Sequence, residues 1–218
     1  MWYGARKQEF LALANLAIAT RQRKIPCVSP ENGYFLTQMV RVRGALRVLE
    51  IGTATGVSTL YLQKGMGAEG AIDTLERQAS AAAEARENFA RFGDAARIRL
   101  FEGDALTLLR EEPMLAGPYD LVFIDAMKRE YGEYVEAVRG RLAPGGVILC
   151  DDVIAFGDKM TSLWALMEEG DLPGTIIPTD PEDGILLLTP EVGCPGRTDC
   201  RKCVLRCRLL RRCRLSGM

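Results

Sequence analysis

Short apolar runs alternate with helical stretches along most of the chain from residue 46 onward. Five runs have the length and composition of buried strands, and each precedes a segment in which apolar residues follow helical spacing. These runs are 46–52, 70–76, 98–103, 119–125 and 145–152. Two later runs, 174–180 and 184–190, are suited to an antiparallel pair that closes a sheet. Strands that alternate with helices predict an α/β fold, a doubly wound parallel sheet with helices on both faces.

The first 26 residues have a different pattern. Their apolar stretch is short, is interrupted by Asn15 and has no convincing cleavage site, so it predicts an amphipathic helix rather than a signal peptide. No apolar run approaches the roughly 20 residues that cross a bilayer. We therefore expect a cytoplasmic protein without a membrane partner.

Composition divides the chain into two parts. Of 218 residues, 48% are hydrophobic and 26% are charged, which is ordinary for a folded domain with a full core. From Pro190 onward there are eight basic and two acidic residues, which leaves 20 basic and 27 acidic residues before it. We predict one domain over residues 1–189 and a basic, cysteine-rich tail over 190–218.

Cysteine and histidine content limits the chemistry. The chain has no histidine, which excludes a histidine-based triad, a histidine base and a histidine metal site. Cys150 lies in an apolar run and is predicted to be a small buried residue. In the tail, the spacing of Cys200, Cys203 and Cys207 leaves three alternatives open: a metal site, a disordered or weakly helical basic tail, or a nucleic-acid contact.

Acidic residues stand where each of the five predicted strands ends. They are Glu50, Glu76, Asp104, Asp125 and the adjacent pair Asp151 and Asp152. In a parallel sheet these positions share one edge, which is where such folds bind ligands. An apolar strand that ends in two adjacent carboxylates is costly unless a positive charge offsets them.

The turn after the first of these strands, "EIGTATG", is rich in glycine. Gly52 and Gly56 would let a ligand approach the backbone closely, and Glu76 is placed to accept the hydroxyls of a ribose. The turn lacks the full G-x-G-x-x-G spacing. This favours S-adenosylmethionine (SAM) over a nicotinamide cofactor.

Three motifs in this order, "VLEIGTATGVSTLYL", "FIDAMKREYGEY" and "LAPGGVILCDDV", resemble the cation-dependent O-methyltransferases of the catechol and caffeoyl-CoA type. The resemblance covers residues 25–188. It implies a seven-stranded, Rossmann-like SAM-dependent methyltransferase sheet whose last strand is antiparallel, and a homodimer. The implied activity is cation-dependent methyl transfer from SAM to a hydroxyl of a catechol-like or hydroxycinnamoyl-type small molecule.

Two other functions stay open. Some relatives of this family act on RNA, so a tRNA 5-hydroxyuridine O-methyltransferase is the alternative, which the basic tail modestly favours. A SAM-fold protein without catalytic activity is disfavoured because the metal and lysine positions are intact.

The resemblance also implies roles for particular residues. The methionine part of SAM would be surrounded by Val28, Gly33, Glu50, Gly52, Ala54 and Ser58. Glu76 would bind the ribose, and the adenine would lie near Asp104, Ala105 and Met127. A divalent metal would be held by Asp125, Asp151 and Asp152, with Asp125 also near the cofactor, and Lys128 would be the catalytic base.

The chemistry of these residues is consistent with those roles. Three carboxylates without histidine or thiolate suit Mg²⁺, Mn²⁺ or Ca²⁺, and a metal-bound phenol loses its proton more readily. A cation near Lys128 would disfavour its ammonium form, and a neutral lysine could accept the phenolic proton.

Two departures from the family pattern have consequences. Many members have Asn where this chain has Asp152, so we predict tighter cation binding and a preference for Mn²⁺ or Ca²⁺ over Mg²⁺. The N-terminal segment is shorter than usual, which affects the acceptor pocket and the dimer interface. The candidate acceptor-pocket residues are Tyr34, Phe156, Trp164 and Asp180.

Overall fold

One seven-stranded sheet organises the part of the chain that the computed structural model describes, residues 7–169, 172–179 and 183–190. Its strands are β1 (Arg47–Ile51), β2 (Ala71–Glu76), β3 (Ile98–Glu102), β4 (Tyr119–Ile124), β5 (Leu142–Cys150), β6 (Gly174–Pro178) and β7 (Gly184–Leu188). The spatial order is β3-β2-β1-β4-β5-β7-β6. The first five strands are parallel, and β7 is antiparallel to both β5 and β6. The predicted sheet, with its antiparallel last strand, is confirmed.

Seven α-helices accompany the sheet within the same residues. They are α1 (Lys7–Gln22), α2 (Pro30–Arg43), α3 (Val57–Gly65), α4 (Ala79–Phe92), α5 (Ala105–Glu111), α6 (Tyr131–Arg139) and α7 (Thr161–Glu169). The prediction of an N-terminal helix is confirmed by α1. None of the helices in the described ranges is long and apolar enough to cross a membrane.

Helix α2 was not predicted, although its start carries a clear signal in the sequence. Ser29 is the N-cap residue, and its Oγ accepts a hydrogen bond of 3.1 Å from the backbone N–H of Asn32. Pro30 stands at the first helical position, where its fixed φ and missing N–H are tolerated.

Two apolar cores lie on opposite faces of the sheet. Alternate residues of β4 serve both, since Leu121 and Phe123 belong to the core under α1 to α4, whereas Val122 and Ile124 belong to the core under α5 to α7. This alternation confirms helices on both faces. Cys150 is fully buried in the second core as a free thiol, as predicted.

Gly93 ends α4 without the left-handed conformation that is common for glycine at a helix end. Its φ of −131° is extended rather than left-handed. A side chain at this position would crowd Leu60 and Gln63 of α3, so the glycine permits close packing of two helices. The predicted tail, residues 190–218 with Cys200, Cys203 and Cys207, lies outside the described residues beyond Pro190.

Candidate functional site

The acidic strand ends meet at one edge of the sheet because backbone hydrogen bonds continue past the strands. The Asp125 N–H donates to the carbonyl O of Ile51 at 2.9 Å, and the Asp151 N–H donates to the carbonyl O of Ile124 at 3.0 Å. Asp125 and Asp151 therefore follow neighbouring strands in register, and the clustering expected from the sequence is present.

A cavity of about 440 Å³ and one of about 510 Å³ open at this edge. The larger, which we call the glycine-loop cavity, is lined by seven predicted cofactor residues. They are Gly52, Ala54, Glu76, Asp104, Ala105, Asp125 and Met127. Seven of the eleven predicted cofactor residues therefore surround one space.

The turn after β1 is shaped by backbone conformations that few residues adopt. Gly52 has a φ of +100°, and a Cβ at this position would collide with the backbone carbonyl of Asp125. Ala54 has a φ of +45°, and its N–H donates to Oε2 of Glu76 at 2.8 Å. Glu76 thus fixes the turn while lining the glycine-loop cavity.

Asp104 has a capping role as well as a place in the cavity lining. Its carboxylate accepts a hydrogen bond of 2.9 Å from the N–H of Thr107 and caps α5. Hydrogen bonds from Thr107 lower the pKa of Asp104. The carboxylate is therefore held ionised and oriented at the cavity edge.

Three predicted cofactor residues line neither cavity. Glu50 is fully buried, and its Oε2 accepts hydrogen bonds from Thr59 and Thr74. Burial raises the pKa of Glu50 to about 7. Ser58 is buried beside it and hydrogen-bonds to it, whereas Gly33 packs so closely that a Cβ would overlap the ring of Tyr61.

The smaller cavity is acidic on one side, and we call it the carboxylate cavity. The acids that line it are Asp125, Asp151, Asp152 and Asp183, and the predicted cofactor residue Val28 lies here rather than in the glycine-loop cavity. Asp125, Pro26 and Phe156 line both cavities. The two spaces therefore meet at a predicted metal ligand.

Lys128 joins two of these acids. Its Nζ lies 2.7 Å from Oδ1 of Asp125, 2.7 Å from Oδ2 of Asp152 and 2.9 Å from Oη of Tyr131. Burial lowers the pKa of Lys128, but the two carboxylates outweigh burial and leave that pKa above its ordinary value. A nearby cation was expected to disfavour the ammonium form of Lys128, whereas the carboxylates by themselves favour it.

Asp151 is the most buried of the four acids, with 2% of its surface exposed. Burial, with Asp125 and Asp152 nearby, raises the pKa of Asp151 well above its ordinary value. Burial and Asp125 likewise raise the pKa of Asp152 to about 6. These carboxylates lack sufficient positive charge, because Lys128 supplies one charge to several acids.

The donor set suits a hard divalent cation, since it consists of carboxylate oxygens in need of positive charge. Their positions, however, do not form a closed cluster: among the described residues, no three acidic or cysteine side chains lie close enough together to hold one metal ion. Instead, the Lys128 ammonium bridges Asp125 and Asp152. The residues fit the cation by chemistry, while their arrangement is that of an ion-pair network.

The four candidate acceptor-pocket residues have different outcomes. Phe156 lines both cavities, 37% exposed. Tyr34 packs edge-on against the rings of Phe10 and Tyr61 and lines neither cavity. Trp164 packs against the second core and donates from Nε1 to the Gly157 carbonyl at 2.7 Å. Asp180 lies outside the described residues.

Two residues of the site were missed by the sequence analysis. Asn32 of α2 donates from Nδ2 to Oδ1 of Asp151 at 3.1 Å, and its own buried Oδ1 finds no hydrogen-bond partner among the described residues. Asp183 hydrogen-bonds to Asp152 and accepts from the N–H of Ile154 at 3.0 Å. Neither residue belongs to a motif, and only the tertiary fold brings them to the carboxylates.

Residues 4–163 match the model of a protein family described as O-methyltransferase. Among curated proteins, O-methyltransferase ankF of Aspergillus thermomutatus is 48% identical over 118 residues, which are 53% of this chain and 48% of that protein. The catechol O-methyltransferase of Mycobacterium tuberculosis is 42% identical over 149 residues, which are 67% of this chain and 66% of that protein. The chain thus spans about half to two thirds of the length of these relatives.

A solved structure of similar fold is that of the O-methyltransferase TomG from Streptomyces achromogenes in complex with SAM. It superposes with a TM-score of 0.71 at 27% sequence identity, over 84% of this chain and 89% of that one.

Proposed function

This chain belongs to the O-methyltransferase family, and we propose that it transfers a methyl group from SAM to a hydroxyl of a catechol-like or hydroxycinnamoyl-type small molecule with the help of a divalent cation. The observation that carries the proposal is the meeting of two cavities at Asp125. A methyl donor and an acceptor held in adjoining spaces satisfy the main requirement of a direct transfer, which is alignment.

The glycine-loop cavity is the proposed SAM site. Bound SAM supplies a methyl group that its sulfonium already activates. The acidic side chain of Glu76 and the close backbone approach at Gly52 support this assignment, because they suit ribose hydroxyls and a ligand lying against the turn. The relative TomG, which has a similar fold, is a SAM complex.

The carboxylate cavity is the proposed acceptor site. Asp125, Asp151 and Asp152 would hold a divalent cation there, and such a cation supplies the positive charge that makes a bound phenol more acidic. The raised pKa values of Asp151 and Asp152 support this role, since both carboxylates would be stabilised by added positive charge.

Lys128 is the proposed base. Its Nζ lies between two cavity carboxylates and is largely shielded from solvent, with 16% of the side chain exposed. While both carboxylates face it, the ammonium form is favoured. If a bound cation neutralised these two carboxylates, burial would dominate at the Lys128 amine. Burial favours the neutral form, which can accept a proton.

Radiolabelled methyl transfer from SAM to catechol, caffeate and caffeoyl-CoA, with and without Mg²⁺, tests the proposal. We expect transfer that chelation abolishes, and a loss of about 10²- to 10⁴-fold in kcat for Lys128→Ala. SAM binding by calorimetry should persist in Lys128→Ala, which separates lost chemistry from lost folding. Full activity in both Lys128→Ala and Asp125→Ala would refute this mechanism.

The alternative acceptor, a 5-hydroxyuridine in tRNA, gains no support from the site. Its only specific argument was the basic tail, residues 190–218, which lies outside the described residues beyond Pro190. Undermodified tRNA belongs in the same assay as a further acceptor. Methylation of tRNA in preference to the small molecules would replace the proposed substrate class.

A further inference from the structure

Lys24 stands at a backbone position that favours glycine. It follows α1 with a φ of +61°, and its N–H donates to the carbonyl O of Arg21 at 2.9 Å. The next N–H, that of Ile25, donates to the carbonyl O of Thr20 at 3.3 Å. This pair of hydrogen bonds is the Schellman motif, whose left-handed residue is usually glycine.

The next helix ends in the same way and shows the usual residue. Gly44 follows α2 with a φ of +63°, and its N–H donates to the Arg41 carbonyl at 3.0 Å. The N–H of Ala45 donates to the Val40 carbonyl at 3.0 Å. The chain thus builds one motif twice, with glycine at α2 and with a strained lysine at α1. A residue that strains the backbone points to a use for its side chain.

Lys24 lines the carboxylate cavity, together with Arg21. The third basic residue of this turn, Arg23, is occupied elsewhere, because its guanidinium pairs with Glu84 of α4 at 2.7 Å and 2.9 Å. Arg21 donates to the backbone carbonyl of Cys27 at 3.3 Å. Within the described part of the chain, neither Arg21 nor Lys24 forms an ion pair.

The carboxylate cavity is therefore lined by groups of opposite charge. The acids are Asp125, Asp151, Asp152 and Asp183, and the bases are Arg21 and Lys24. Cys27 lines the same cavity, and Arg21 and Asp125 both act on the pKa of its thiol, in opposite directions. At about 440 Å³, the cavity has room for more than a bare catechol ring. A neutral catechol bound at the carboxylates would leave the charges of Arg21 and Lys24 without a partner.

We propose that Arg21 and Lys24 bind a negatively charged group of the acceptor, so that the enzyme prefers ortho-dihydroxy aromatics whose far end is anionic. The inference rests on the proposed methyl transfer in the same cavity. The anionic group could be the carboxylate of a free acid or the phosphates of a CoA thioester. Both are recognised by the same charge, and the experiment below distinguishes them.

The test compares kcat/KM for catechol, caffeate and caffeoyl-CoA in the wild type, Lys24→Gly and Lys24→Arg. For Lys24→Gly we expect a loss of about fivefold on the preferred anionic acceptor and less than about twofold change on catechol. Lys24→Arg should retain the preference. Raising the salt concentration should reduce the wild-type preference, because Arg21 and Lys24 are exposed and salt screens exposed charges.

A stability measurement separates this role from a structural one. Lys24→Gly should unfold at a higher temperature, since glycine relieves the left-handed strain while the specificity is lost. Lys64→Met, which removes a lysine paired with Glu9 on another surface, is the charge-matched control and should keep the preference. The acceptor whose kcat/KM falls most in Lys24→Gly identifies the recognised group, which is the carboxylate for caffeate and the CoA phosphates for caffeoyl-CoA.

Two results would overturn the inference. One is an equal kcat/KM of the wild type for catechol and for the anionic acceptors. The other is an unchanged preference in Lys24→Gly together with higher stability, which would mean that Lys24 only ends the helix. In either case methyl transfer to catechol would leave the proposed function intact. Failure of every acceptor with wild-type protein would instead refute the proposed function.

Discussion

Asn32 of α2 donates a hydrogen bond from Nδ2 to Oδ1 of Asp151, across 3.1 Å and 119 residues of sequence. Both residues are buried, with 3% and 2% of their surfaces exposed. The bond ties the N-terminal helices to the sheet edge that carries the proposed cation ligands. Asn32 is therefore a positioning residue for Asp151, and its amide is one of the few groups that offset this buried carboxylate.

We predict that Asn32→Ala lowers the free energy of unfolding by about 1–3 kcal/mol, because a buried carboxyl loses its hydrogen-bond donor. Urea unfolding at pH 7 measures the change. Asn15→Ala, at an exposed position of α1, is the matched control and should stay within about 0.5 kcal/mol of wild type. If both substitutions changed the free energy of unfolding equally, the hydrogen bond from Asn32 to Asp151 would not contribute to stability.

Asp152→Asn tests the extra acid at the end of β5. Removing one of the proposed ligand charges should weaken binding of Mg²⁺, Mn²⁺ and Ca²⁺ by about tenfold and shift the preference towards Mg²⁺. Calorimetric titration with each ion measures affinity without relying on activity. Asp158→Asn, an exposed acid in the following loop, should leave both affinity and preference unchanged. Unchanged binding in Asp152→Asn would exclude this role.

The sheet could be predicted because its signals are local. Each parallel strand is a short apolar run, and each ends in an acid such as Asp125 that lies at the shared edge of the sheet. The start of α2 was equally local, since Ser29 and Pro30 form a standard helix N-terminus. Helix α2 was nevertheless missed, because the helical periodicity of its apolar residues is weak although its N-terminal signal is clear.

The details of the site could not be predicted because they depend on side chains distant in sequence. Asn32 and Asp183 reach the carboxylates only through the packing of α2 and the β6–β7 hairpin region. Tyr34 and Trp164, chosen as aromatic candidates, pack into the cores instead. The bridging position of Lys128 between Asp125 and Asp152 likewise needs the geometry of two neighbouring strand ends.

Glu50 should make stability depend on pH. Burial raises the pKa of Glu50 from 4.5 to about 7, so between these values the folded protein holds a proton that the unfolded chain has lost. Stability from this group is fully present below pH 4.5 and is lost as the pH rises through 7. The integrated loss is at most about 3 kcal/mol.

Glu50→Gln removes this titration while keeping an oxygen that can accept from Thr59 and Thr74. Relative to wild type, its free energy of unfolding should rise by up to about 3 kcal/mol between pH 4 and pH 8. Urea unfolding of both proteins across this range gives the difference. Glu69→Gln, at an exposed position, should show no such trend, and a flat difference for Glu50→Gln would mean that Glu50 ionises normally.

Gly52→Ala should disrupt the turn that lines the glycine-loop cavity. The φ of +100° strains any side chain, and the added Cβ would collide with the backbone carbonyl of Asp125, which cannot move without breaking the neighbouring strand end. We expect a loss of about 2 kcal/mol or more in unfolding free energy, and loss of SAM binding in the protein that remains folded.

Gly140→Ala is the control, because its φ is −74° and no atom lies within 4 Å of the added Cβ. It should be neutral or stabilising by up to about 1 kcal/mol. Unfolding curves and SAM calorimetry on both variants decide the matter: a Gly52→Ala protein that binds SAM like wild type would show that the backbone at Gly52 does not need to approach Asp125 so closely.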